Sequence, residues 1–153
     1  MVRLTDLPTT KAESMRNHPT PSFDSEPWVE GPALSERTVA LVSSAGLVSR
    51  GERPVAPRDT RYRVIPQDSA DHDVLMSHIS VNFDRTGFQQ DLNVVLPRAR
   101  MRELAEQGVI GAVADEHYSF MGGTEAHLLE ENARKLAGVL HQKGVDSALL
   151  LPV

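Results

Sequence analysis

Thr38-Val39-Ala40-Leu41-Val42 runs directly into Ser43-Ser44-Ala45-Gly46. A short, continuous apolar run rich in β-formers is the pattern of a strand buried on both faces, as in a parallel sheet. The small residues after it form a tight loop. Its backbone N–H groups can meet an anion or simply lie close to neighbouring backbone. The loop lacks the glycine pattern of a nucleotide fingerprint, and no helix pattern follows at once.

Downstream, the same grammar repeats. Arg61-Tyr62-Arg63-Val64-Ile65-Pro66 alternates like a strand and stops at its proline. Pro97 suits the start of a helix whose apolar stripe is Met101, Leu104 and Ala105 and whose left-handed cap is Gly108. Val109–Val113 reads as the next strand, and His117–Gly123 as the loop after it. Thr124 can cap a long helix carrying Leu129, Ala133, Leu136, Ala137 and Leu140 at helical spacing. Lys143 and Gly144 end that helix, and Ala148–Leu151 is the last strand, followed by Pro152-Val153. Strand, helix, strand, helix, strand predicts an α/β fold with a parallel, Rossmann-like or flavodoxin-like sheet. That sheet is expected to be incomplete at the C-terminus. Ligands of such sheets bind beyond the carboxyl ends of the strands.

Upstream of Thr38 the chain reads differently. Pro8, Pro19, Pro21, Pro27 and Pro32 interrupt residues 1–37, which are expected to form an irregular arm anchored by Trp28. Residues 38–153 form the α/β domain. Residues 67–92 are polar, carry His72, His78, Asn82, Asp84 and Asp91, and alternate only briefly from His78 to Phe83.

Composition narrows the function classes. The formal net charge of -5 argues against a nucleic-acid or anionic-membrane surface, which needs clustered cations. No apolar run approaches the roughly 20 residues of a membrane span, and the start lacks a secretory h-region, so the cytoplasm is the expected compartment. The count of Cys is 0, so the chain holds no thiol nucleophile, disulfide or thiolate ligand. The spacing of His72, His78, Asp84 and Asp91 fits no metal-ligand motif.

His117-Tyr118-Ser119-Phe120-Met121-Gly122-Gly123 is the leading functional stretch. A histidine can exchange protons near neutral pH. Tyr118 and Ser119 can donate to a carboxylate or developing anion, and the glycines allow close backbone approach. A structural βα loop with a satisfied histidine explains the same residues equally well.

Several stretches together resemble one family. They are Leu34-Ser35-Glu36 with Thr38–Gly46, Tyr62–Pro66, His78 through Asp84 to Pro97, Leu104–Gly111, His117–Gly122, and Gly144–Asp146 with Leu149–Val153. Their order and spacing resemble the selenoprotein B component of glycine, sarcosine and betaine reductases and the related D-proline reductase subunit. The resemblance spans about residues 28–153.

The resemblance implies reductive cleavage of a carbon–nitrogen bond in an amino acid or betaine. It also implies a selenocysteine or cysteine redox centre, placed directly after a strand that ends in a Pro-Val pair. Here that pair is Pro152-Val153, so the redox centre is expected directly beyond Val153, at a selenocysteine codon read as a stop, with no cofactor in the chain itself; the competing expectation is a short protein that has lost the centre. His117, Tyr118 and Ser119 would bind or protonate substrate. Ser43, Ser44, His78, Asp84, Asp91, Asn93 and Gly122 would shape the pocket. The expected partners are a small amine or amino-acid substrate and other reductase subunits or a second copy, with no nucleic acid and no membrane. Two alternatives stand beside this reading: a non-catalytic binding or assembly module of the same fold, and redox-independent small-molecule binding at the His117 stretch.

Overall fold

The structure, a computed structural model, describes residues 3–17, 22, 24, 26, 28–80 and 84–153. Pro19, Pro21, Pro27 and the Val81-Asn82-Phe83 part of the expected alternation lie outside the described residues.

The apolar run at Thr38 becomes the centre of the molecule. Strand β1 (Thr38–Ser43) pairs in parallel on both flanks. On one flank lies β7 (Ser147–Leu151), in register from Val39↔Ser147 to Ser43↔Leu151. On the other, β5 (Ala112–Val113) and β6 (Glu116–Ser119) lie end to end. Strand β3 (Arg63–Pro66) closes that side, antiparallel to β6. The fold is therefore α/β with a mostly parallel sheet, as the pattern predicts. A separate two-stranded ribbon joins β2 (Leu47–Ser49) and β4 (Val74–Met76).

Each face of the sheet has its own cover. On one face Val39, Leu41 and Ile65 pack with Leu47 and Val74 of the ribbon and with Met101 of α3 (Arg98–Glu106). On the other, α4 (Ala126–Gln142) seats Leu136 against Tyr118 and Phe120, flanked by Val42 and Tyr62. Burying one such leucine stabilises the fold by about 2 kcal/mol. The apolar stripe of α4 is only partly used, because Ala133 and Ala137 remain exposed.

Four expectations shift. The strand at 109–113 shrinks to Ala112–Val113, because the chain is still turning out of α3: the Val109 and Ile110 N–H groups both return to the Leu104 carbonyl. Gly108, at φ 70°, is the left-handed cap, as expected. His117, Tyr118 and Ser119 are not loop residues; they belong to strand β6. Thr124 does not cap α4, since its hydroxyl donates to the Asp59 carbonyl at 2.9 Å. The N-terminal arm holds a helix, α1 (Thr9–Arg16), with Ala12 buried, while Trp28 is 89% exposed and is no anchor among the described residues. A five-residue helix, α2 (Thr86–Gln90), precedes α3.

Candidate functional site

The three predicted catalytic side chains follow strand alternation. His117 and Ser119 face the α3 side and Tyr118 faces α4, and all three are at most 1% exposed. The register explains why His117 is there. Between Thr38↔Ala112 and Val42↔Tyr118 the β5–β6 side carries two more residues than β1, so the ladder is interrupted at Ala114–Asp115. The Leu41 N–H therefore has no carbonyl opposite it and donates instead to His117 Nδ1 at 3.1 Å. An accepting Nδ1 places the ring proton on Nε2, which donates to Gln67 Oε1 at 2.6 Å. Burial, reinforced by the nearby Arg98 charge, pulls the His117 pKa down to about 4. In this state His117 is a neutral imidazole that completes the ladder.

Tyr118 is similarly committed. Its hydroxyl donates to Glu116 Oε2 at 3.0 Å, and its ring meets Tyr62 edge-on at 5.7 Å. Burial and then the Glu116 carboxylate raise its pKa. Lys143, 3.1 Å from Glu116, holds that carboxyl below its ordinary value. Ser119 Oγ accepts the Leu47 N–H at 2.8 Å and so fastens the ribbon to the sheet.

A different group of predicted residues does converge at the carboxyl ends of the strands. Ser43 is fully buried, and its Oγ accepts the Ala45 N–H at 3.2 Å. Ser44 donates its N–H to the Leu151 carbonyl at 3.0 Å, and its Oγ accepts the Val153 N–H at 2.8 Å. Its own carbonyl accepts the Gly122 N–H at 2.9 Å. A Cβ on Gly122 would lie 2.7 Å from that carbonyl oxygen, so a side chain there would push the two loops apart. Beside them a groove of ≈ 450 Å³ opens between the sheet and α4, lined by Val42, Ser43, Ser44, Phe120, Leu129, Ala133, Leu150, Leu151 and Pro152. None of its lining side chains is charged.

His78 lies close by, since the neighbouring Ser77 N–H donates to the Gly46 carbonyl at 2.9 Å. His78 is buried, its Nδ1 accepts the Ser80 N–H at 3.1 Å, and its carbonyl accepts from the Arg85 guanidinium. Burial, then Arg85, lowers its pKa.

Asp84, Asp91 and Asn93 bond locally, in turns and a helix cap. Asp84 accepts the Thr86 N–H at 2.9 Å, Asp91 accepts the Asn93 N–H at 2.8 Å, and Asn93 Oδ1 accepts the Ala99 N–H at 3.0 Å. The last bond caps α3, where Pro97 has no side-chain acceptor to offer. Asp91 borders a second cavity with Asp71, His72 and Phe88, apart from the Ser44 groove.

Two buried clusters carry more of the structure than their sequence context suggests. Arg98, 2% exposed, donates to the Pro66 carbonyl at 2.7 Å, to both the hydroxyl and carbonyl of Ser69, and to Asp71 Oδ1 at 2.6 Å. Asp59 is gripped by Arg61 and Arg63, each at 2.9 Å, and its Arg61 hydrogen bond above all drives its pKa far down. The one signal for the Asp59 cluster was the alternation of Arg61 and Arg63 two residues beyond it. Among the described residues no group of His, Asp and Glu has the geometry of a metal site, and no helix is long and apolar enough to cross a membrane.

Comparison with known proteins adds the remaining evidence. The family described as glycine/sarcosine/betaine reductase selenoprotein B matches residues 11–152. D-proline reductase subunit gamma of Acetoanaerobium sticklandii is 35% identical over 120 residues, which is 76% of this chain and 49% of that protein. Glycine reductase complex component B subunit gamma of Carboxydothermus hydrogenoformans is 30% identical, covering 86% of this chain and 32% of the relative. Sarcosine reductase complex component B subunit beta of Peptoclostridium acidaminophilum is 32% identical, covering 87% and 32%. The chain thus spans from a third to a half of the length of these relatives. No solved structure matches it. A mostly parallel α/β sheet and a family match over nearly the whole chain lead to one conclusion: the chain belongs to the glycine/sarcosine/betaine reductase selenoprotein B family.

Proposed function

We propose that this chain forms the α/β platform of one subunit in a reductase complex that cleaves the carbon–nitrogen bond of a small amino acid or betaine. The observation that carries this reading is the convergence of Ser43, Ser44, Gly122 and Val153 at the carboxyl ends of β1, β6 and β7, beside an apolar groove. Parallel sheets present their chemistry at this edge, and the relatives are named as subunits of glycine, sarcosine and D-proline reductases.

A selenocysteine or cysteine at that edge would supply the electrons for the cleavage. The residues present suit it in one respect and leave another open to other groups. The groove is apolar and sheds water, but no lining side chain is a cation that would favour the thiolate or selenolate. This chain's own contribution is to fix the backbone around the reacting residue through the Ser44–Leu151, Ser44–Val153 and Ser44–Gly122 bonds. His117, Tyr118 and Ser119 support that edge from within the sheet.

The nucleotides after the codon for Val153 test the redox assignment. An in-frame selenocysteine-type stop codon with a cysteine codon close behind is expected. Any other stop codon, or a following frame without cysteine, sinks it. Turnover of the restored protein with its partner subunits then tests the reaction.

A further inference from the structure

Among the described residues, the outer strands β3 and β7 of the main sheet are built differently. Edge strand β3 carries Arg63 and ends in Pro66, which has no N–H to offer. A cation and a proline are ordinary protections of a true edge. Strand β7 has neither. After Ser147, its Ala148-Leu149-Leu150-Leu151 is the continuous apolar run of a strand buried on both faces. Yet among the described residues β7 pairs only with β1, and Leu149 and Leu150 are 43% and 68% exposed, one on each face. Parallel pairing alternates, so the Ala148 and Leu150 N–H groups point away from β1.

The groove continues this unfinished surface. It lies on the α4 face, between the exposed Ala133 of α4 and Leu150 of β7. The path from β6 through α4 to β7 steps across β1. A further right-handed step in the same direction places its helix on the same face, over this groove.

We infer that β7 is an interior strand of a larger sheet, and that its outer edge and the Phe120–Ala133–Leu150 groove receive a parallel strand with its crossover helix. The occupant is polypeptide of the kind the longer relatives possess, since they have one half to two thirds of their length outside the match to this chain. Its strand is uncharged and apolar, and its helix presents an aliphatic stripe to Leu129, Ala133 and Leu150. The inference rests on the edge and on the family's length rather than on the redox reading, and its readouts need no turnover.

The test compares the 153-residue chain with a chimera in which it replaces the matching part of the Acetoanaerobium sticklandii D-proline reductase subunit gamma. In the isolated chain the outward amides of Ala148 and Leu150 should exchange hydrogen rapidly, and Leu150→Lys should barely change the Tm. In the chimera the same amides should exchange at least about ten-fold more slowly, and Leu150→Lys should lower the Tm by about 5 °C or more. Val94→Lys, at a site 62% exposed elsewhere, should have little effect in either protein. Equal exchange and an equal Leu150→Lys effect in the two proteins would overturn the inference. So would protection of these amides in the isolated chain, whether by a dimer through β7 or by its own arm, and that result stands even if the chimera fails to fold.

Discussion

His117 Nδ1 accepts the backbone N–H of Leu41 at 3.1 Å, standing in for a carbonyl where the central strand loses its neighbour. This bond makes the histidine's protonation a matter of stability. The folded pKa, about 4, lies below the ordinary 6.5, so the unfolded chain binds the extra proton first as pH falls. The contribution is complete above about pH 6.5 and is lost as pH drops toward 4. A Tm series from pH 8 to 4 should show this loss, and His117→Gln should flatten it. An unchanged slope in the variant would assign the acid sensitivity to other groups.

Removing the ring altogether should cost more. His117→Ala leaves the Leu41 N–H buried and unpaired and opens a void, at a cost of about 3 kcal/mol. Urea unfolding measures it. If turnover of a reconstituted complex falls while unfolding is unaffected, the histidine has a chemical role beyond its place in the ladder.

Gly122→Ala should act on the edge. The new Cβ meets the Ser44 carbonyl oxygen at 2.7 Å, so the loops must separate. Overpacking of this sort costs about 1–3 kcal/mol. Amide exchange at Ser44 and Val153 should accelerate together, and exchange in α3 should stay as it was.

Asp59→Asn should weaken the link between α4 and β3. Asp59 bonds Arg61 and Arg63 through its carboxylate and Thr124 through its carbonyl. Arg63 is mostly buried, so losing its counter-charge should cost about 3 kcal/mol. The pKa of Asp59 is depressed when folded, which makes its contribution present near neutrality and lost in acid. The variant should therefore show a shallower decline in Tm below pH 4 than the native chain.

Asn93→Ala should remove the cap of α3. The expected loss is about 1 kcal/mol, read by thermal unfolding, with no effect on the Ser44 edge.

The central strand, both long helices and the last strand were legible because apolar runs and 3.6-residue spacing survive any tertiary context. The short pieces were not. His117–Ser119 reads as a loop because a charged pair, Asp115-Glu116, precedes it. It is a strand because Tyr118 and Ser119 pair with β1, and His117 makes good the broken ladder. Ser44 and Gly122 do lie at a close approach of two loops, as small residues after a buried strand suggest. Asp84, Asp91 and Asn93 looked like pocket polars, yet an Asp or Asn beside a short helix serves turns and caps just as readily. Arg98 offered no signal, because burial of a guanidinium depends on carbonyls that fold around it from Pro66 to Ser69.

The Ser44–Val153 bond joins positions separated by 109 residues. The central strand is synthesised early, but one whole flank of its ladder stays unmade until β7 has left the ribosome. Such long-range closure slows folding. During that wait Val39 to Ser43 display an open apolar edge, the kind of surface that chaperones shield and that aggregates exploit. Vectorial refolding should therefore tolerate truncation within the N-terminal arm far better than delay in delivering β7.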